Sequence, residues 1–160
     1  MHHLNCEILM TKENYELITR QRVDLIKAYQ KIAPLCHSQK EAWLRIAKEP
    51  APRYYISPQQ AWEKLRRMVV GDFSTVDNMR PVKQRLYYSL YNKLMEMSQR
   101  KEYVGRSLWF ICQFLVNEPA PEFFTTPKNI AYIFYRYKAY GKDYRDIELR
   151  KEKHKHEVSD

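Results

Sequence analysis

The apolar positions of the chain fall into stripes at helical spacing, broken at prolines. Leu17, Ile18, Leu25, Ile26, Tyr29 and Ile32 recur at three-, four- and seven-residue steps from Thr11 onward, one face of a first helix. Pro34 ends or bends it. Ser38-Gln-Lys-Glu41 has the capping-box form and predicts a second helix that buries Trp43, Ile46 and Ala47. That helix must stop before Pro50, because the residue ahead of a proline is pushed out of the α region. Pro50 and Pro52 fix φ and lack N–H groups, and Arg53 to Ile56 is aromatic and β-branched, so this segment reads as extended. Ser57-Pro58 starts a third helix, with Ala61, Trp62, Leu65, Met68 and Val69 on one face and Lys64, Arg66 and Arg67 on the rest; Gly71 closes it.

A linker of turn formers runs from Phe73 to Pro81. A fourth helix, from about Pro81 to Lys101, carries the seam Leu86, Leu90, Leu94 and Met97. A fifth begins near Ser107 and is apolar nearly all round, with Trp109, Phe110, Cys112, Phe114, Leu115 and Val116, so it is expected to be the most buried element. Thr126-Pro127 starts a sixth, Ile130 to Tyr140, closed by Gly141. Lys142 to Asp160 is a charged tail with room for one more helical stretch, and residues 1–10 carry little pattern.

One phrase occurs twice. Residues 49–58 read EPAPRYYISP and residues 118–127 read EPAPEFFTTP, and Ser38 and Ser107 open the preceding helices at the same offset. The pattern predicts a mainly α fold of about six helices, a doubled helix–helix–short strand–helix unit. Its repeats are residues 11–72 and 78–141, packed as one domain ahead of the tail at 142–160. Since a lone strand leaves its amides unpaired, Tyr54–Ile56 is expected to pair with Phe123–Thr125 near a pseudo-two-fold axis.

A length of 160 residues with 44% apolar side chains suits one compact domain or two small packed units. The formal charge of +9 exceeds what solubility asks of a small domain and favours an anionic partner: nucleic acid, an acidic membrane surface or an acidic protein. The three cysteines, Cys6, Cys36 and Cys112, are odd in number and form no CxxC, which argues for a reducing compartment. Ile8-Leu9-Met10 is too short for a signal-peptide core, and no apolar run approaches the roughly 18 residues of a membrane span, so the expected location is the cytoplasm, with no membrane partner.

No enzyme motif is present. With 3 scattered glycines the chain has no phosphate-cradling loop, Gly105 stands before Arg-Ser without a second glycine at Walker spacing, and there is no Gly-x-Ser-x-Gly elbow. Glu13/Glu16 and Asp143/Asp146 read as solvated helix faces. His2-His3, Cys36-His37 and His154-Lys-His156-Glu157 are the metal-ligand candidates, but four ligands in a folded knuckle are not in view, so neither a metal nor a cofactor is expected.

The aromatic residues are more informative, tyrosine alone numbering 13. From Ile130 to Arg145 rings and cations interleave: Tyr132, Tyr135 and Tyr144 alternate with Arg136, Lys138, Lys142 and Arg145. Bases stacking on rings, with cations for phosphates, need this mixture; equally, Ile133, Phe134 and Tyr137 face a core that the other tyrosines rim. Arg53, Lys64, Arg66 and Arg67 form the densest cationic group of the first repeat. Lys83, Arg85, Lys93, Arg100, Lys101 and Arg106 form a second. Both groups suit phosphate contacts or, alternatively, solvated faces balanced by Glu63 and Glu96. A helix-turn-helix would need a turn about half as long as the one between the second and third helices.

The phrase Pro-Ala-Pro-Arg-Tyr-Tyr-Ile-Ser at 50–57 resembles one shared by a group of small, basic, uncharacterised bacterial proteins associated with phage-like or other mobile elements, with a looser likeness over Arg22–Tyr29. The resemblance implies no activity, and the second copy departs from it at Glu122 and Thr125. The sequence therefore points to a non-enzymatic, nucleic-acid-binding accessory protein. Its expected contacts are Arg53, Lys64, Arg66, Arg67, Lys83, Arg85, Tyr132, Tyr135, Arg136, Lys138, Lys142 and Arg145. A protein–protein adaptor or mobile-element structural component is the alternative, and monomer and symmetric assembly fit the sequence equally.

Overall fold

The computed structural model describes residues 12–140 and is mainly helical. Seven α-helices follow one another: α1 (Lys12–Ile32), α2 (Gln39–Ile46), α3 (Pro58–Met68), α4 (Ser74–Asp77), α5 (Pro81–Ser98), α6 (Leu108–Leu115) and α7 (Pro127–Tyr140), with a 3-10 turn, Ala33–Leu35, after α1. The extra element beyond the six expected is α4, a single turn within the Phe73–Pro81 linker.

The helix starts follow local chemistry. Ser38, Ser57 and Ser107 stand in extended conformation ahead of α2, α3 and α6, and each hydroxyl accepts the third backbone N–H of its helix. Thr126 does the same for α7, accepting from Asn129 at 3.1 Å. At α3 the box is reciprocal through Gln60, whereas at α2 Glu41 reaches one residue further back and accepts from the His37 amide at 2.9 Å. Gly71 (φ +89) turns the chain after α3, a conformation that costs a glycine nothing.

Two compact units are formed. One contains α1, α2 and α7, and the other, Lys48–Thr125, contains α3 to α6. The division differs from the sequential repeats 11–72 and 78–141, because each unit takes the helix that follows a Pro-Ala-Pro from the other repeat. Thus α3 packs on α5 and α6, while α7 packs on α2 and α1. Buried Ala61, Leu65 and Met68 are the inward face of α3; Ile130, Ile133 and Phe134 are that of α7. In the first unit the Tyr29 ring lies against Phe134 and stacks on Trp43, at centroid distances of 3.7 and 5.0 Å.

The aromatic segments behave differently from the expected strand pair. Among the described residues the one backbone bridge lies earlier, between Ala51 and Ala120, whose amides and carbonyls exchange antiparallel bonds of 2.9 and 3.0 Å. Tyr54 donates its N–H to the Val116 carbonyl at the end of α6. The rings pair crosswise: Tyr54 stacks with Phe124 and Tyr55 with Phe123. Phe124 takes a positive φ of 55, uncommon for a residue with a large side chain.

α6 is well buried, as its apolar run predicts, but not all round: Ile111, Cys112, Leu115 and Val116 line the core, while Trp109 is 48% exposed and Phe114 45%. Eight residues make barely two turns, and α3 and α5 cover only one side of them. Val69, placed on the inner face of α3, is exposed because the helix has by then wound past its contacts.

Candidate functional site

The second unit holds the cations expected from the first repeat and from α5. Arg53 is half-buried and its Nε donates to the Tyr54 carbonyl at 3.0 Å. Lys64 is half-buried on α3. Arg66 is exposed and lies over the Trp62 ring, 5.0 Å from its centroid. Arg67 is exposed and donates to the Thr75 hydroxyl at 3.1 Å. Lys83 is exposed at the start of α5. Arg85 forks onto the Glu122 carboxylate, with a shortest separation of 3.1 Å, so its charge is already met. Arg100 is likewise held by Glu96 and Glu118.

The first unit presents α7. Its apolar face is Ile130, Ile133 and Phe134, with Tyr137 half-buried beside them. Well round the helix from that face stand Tyr132 and Tyr135, 54% and 56% exposed. Arg136 lies over the Tyr132 ring at 5.8 Å, and the Lys138 ammonium lies 5.2 Å from the Phe134 centroid. No aspartate or glutamate occurs in Pro127–Tyr140, so this face has cations and rings without a carboxylate of its own helix. Lys142 and Arg145 lie outside the described residues, as do Gly141, the tail and the terminal histidines. Among the described residues no three His, Cys, Asp or Glu side chains gather as a metal site, and no helix is long and apolar enough to cross a membrane.

A third surface was missed by the reading of α6 as core. Trp109 meets Trp62 edge to face at 5.7 Å, and Tyr103, Phe110 and Phe114 form a tilted cluster next to them. Arg106 sits 4.9 Å over Phe110. The signal was available in the sequence: counted back from the Pro-Ala-Pro phrase, Trp109 and Phe114 correspond to Lys40 and Arg45 of the first repeat. Both of those are exposed, as positions facing water would be.

The two described cysteines differ in environment. Burial in the second unit pushes the Cys112 thiol from its ordinary 9.0 up to about 11, whereas Cys36 is half-exposed, donating to Ile32 and accepting from Arg45. A thiol reagent at neutral pH is expected to modify Cys36 in the folded protein and to reach Cys112 only on unfolding, as read by mass spectrometry of peptides. Because the unfolded thiol ionises first, the Cys112 contribution to stability is complete below pH 9 and declines as pH rises from there toward 11.

The chain matches no protein-family model, and comparison with characterised proteins and with solved structures gives no significant match.

Proposed function

We propose that the chain is a non-enzymatic nucleic-acid-binding accessory protein whose principal contact is the exposed face of α7. The observation that carries this reading is the pairing of two half-exposed tyrosines, Tyr132 and Tyr135, with Arg136 and Lys138 on a helix free of acids. Unpaired bases stack on such rings while neighbouring cations neutralise phosphates. The sequence adds weight: residues 141–160 hold equal numbers of acids and bases, and residues 1–11 hold one acid and no Lys or Arg, so the charge excess belongs to residues 12–140. Lys64, Arg66, Arg67 and Lys83 supply further cations; Arg85, matched by Glu122, contributes least.

Anisotropy of a fluorescein-labelled oligothymidylate, of its RNA counterpart and of a duplex, each titrated across salt, tests the reading. Affinity is expected to fall steeply with salt, and the slope to flatten in Arg136→Glu/Lys138→Glu. Tyr132→Ala and Tyr135→Ala should each weaken single-strand binding about 5- to 150-fold, the worth of one stacked base. Binding indifferent both to salt and to these substitutions would sink the proposal and leave α7 as a protein-docking face, as an adaptor would use it.

The same reading includes an origin by duplication. We infer that a helix–helix–motif–helix unit was doubled and that the copies exchanged their third helices. Support comes from the four hydroxyl caps at equivalent positions, the Ala51–Ala120 bridge between equivalent alanines, and the crosswise stacking of equivalent rings.

A further inference from the structure

The surface on α3 and α6 has a composition that the α7 reading does not use. Four rings, Trp62, Trp109, Phe110 and Phe114, lie along it, two of them nearly half exposed. Contiguous exposed rings on a small protein mark interaction sites, because water around them is released on docking. Trp and Arg are also the residues that most often dominate binding energy at such contacts.

The arrangement says what kind of partner fits. The Trp62 and Phe110 rings carry the guanidinium groups of Arg66 and Arg106, at 5.0 and 4.9 Å from their centroids. The rings meet edge to face or tilted, at 86° for Trp62–Trp109 and 53° for Phe110–Phe114, which makes notches for aliphatic or aromatic side chains. Charge fixes the rest. Elsewhere in this unit Arg85 and Arg100 are each paired with a carboxylate, but among the described residues neither Arg66 nor Arg106 makes an ion pair. Two arginines steadied over rings, their charge unmet, await carboxylates from outside.

We propose that this face docks an acidic segment of a partner protein, with apolar side chains seated on Trp109 and Phe114 and carboxylates on Arg66 and Arg106. The face belongs to the second unit and α7 to the first; of its residues only Arg66 is also offered to nucleic acid, so Trp109 and Phe114 test this reading apart from the other.

Selection of phage-displayed random 16-residue peptides on the full chain tests the proposal, followed by anisotropy on the recovered peptides made synthetically. The expected peptides carry net negative charge and at least two spaced Leu, Phe or Trp residues. They should bind at least tenfold more weakly to Trp109→Ala and to Phe114→Ser, both at exposed positions where folding is retained. In Arg66→Glu/Arg106→Glu, which leaves the rings in place, selection should turn to basic peptides. The proposal is overturned if recovered peptides are neutral or basic, if none is enriched, or if those variants bind them as the parent does. It is overturned equally if oligothymidylate binding drops in Trp109→Ala, which would make the face a nucleic-acid platform. Sedimentation showing a dimer that Trp109→Ala dissolves would overturn it in favour of a second copy as occupant.

Discussion

Cut after Gly71, the chain stays together as two bound fragments. A protease site inserted at this exposed glycine, where an added Cβ would meet nothing within 4 Å, lets the cut be made in the folded protein. The first fragment then carries α1, α2 and α3, and the second α4 to α7. Yet α3 packs on α5 and α6 of the other fragment, and α7 packs on α1 and α2. Each fragment thus grips the other at two places. Leu65, Met68, Ile130, Ile133 and Phe134 are buried in those grips, each contributing ~1.5–3 kcal/mol gross. Because the two grips are tethered, the second forms at high effective concentration once the first is made. Co-elution on gel filtration in buffer, with separation only in urea, is the expected outcome. Fragments that elute apart, each folded by circular dichroism, would show that α3 and α7 belong with their own repeats.

Replacing Tyr54 is expected to cost more than any other single ring. Its side chain is 1% exposed, stacks on Phe124 at 5.9 Å, and shares a 2.8 Å hydrogen bond with the Ser89 hydroxyl. Tyr54→Ala removes all three and should destabilise by about 3–5 kcal/mol, a large fraction of the 5–15 kcal/mol typical of a whole domain. Tyr54→Phe keeps the ring and should cost about 1 kcal/mol, since Ser89 loses a partner. Urea unfolding followed by tryptophan fluorescence measures both. An alanine variant as stable as the phenylalanine one would mean the ring carries no packing energy.

The helices and their starts could be read from the sequence because the signals are local. Ser38, Ser57, Ser107 and Thr126 each act within three residues, and prolines forbid helix whatever surrounds them. The seam Leu86, Leu90, Leu94 and Met97 has helical period, and all four are buried. What could not be read is long-range. A pair of prolines says that a helix must stop, but not whether the next helix folds back on its own repeat or on the other. Arg85 looked like a cation for phosphate until Glu122, far away in sequence, proved to hold it. Trp109 and Phe114 looked like core because a short, wholly apolar run has no polar face to betray its orientation. On α7, by contrast, Ile133 and Phe134 are buried and Tyr132 and Tyr135 exposed, as the reading of a core face rimmed by tyrosines expects.

The bridge at Ala51 and Ala120 presents poor outer edges. Prolines 50, 52, 119 and 121 stand beside the bridged alanines, where an antiparallel pair turns its N–H groups outward, so they offer an incoming strand no donor. RYYI and EFFT are the sort of aromatic, β-prone runs that recruit stray strands in a crowded cell. Here the imino acids guard the entry to each run, and the protein keeps its ring-rich crossing without leaving an edge for growing fibrils.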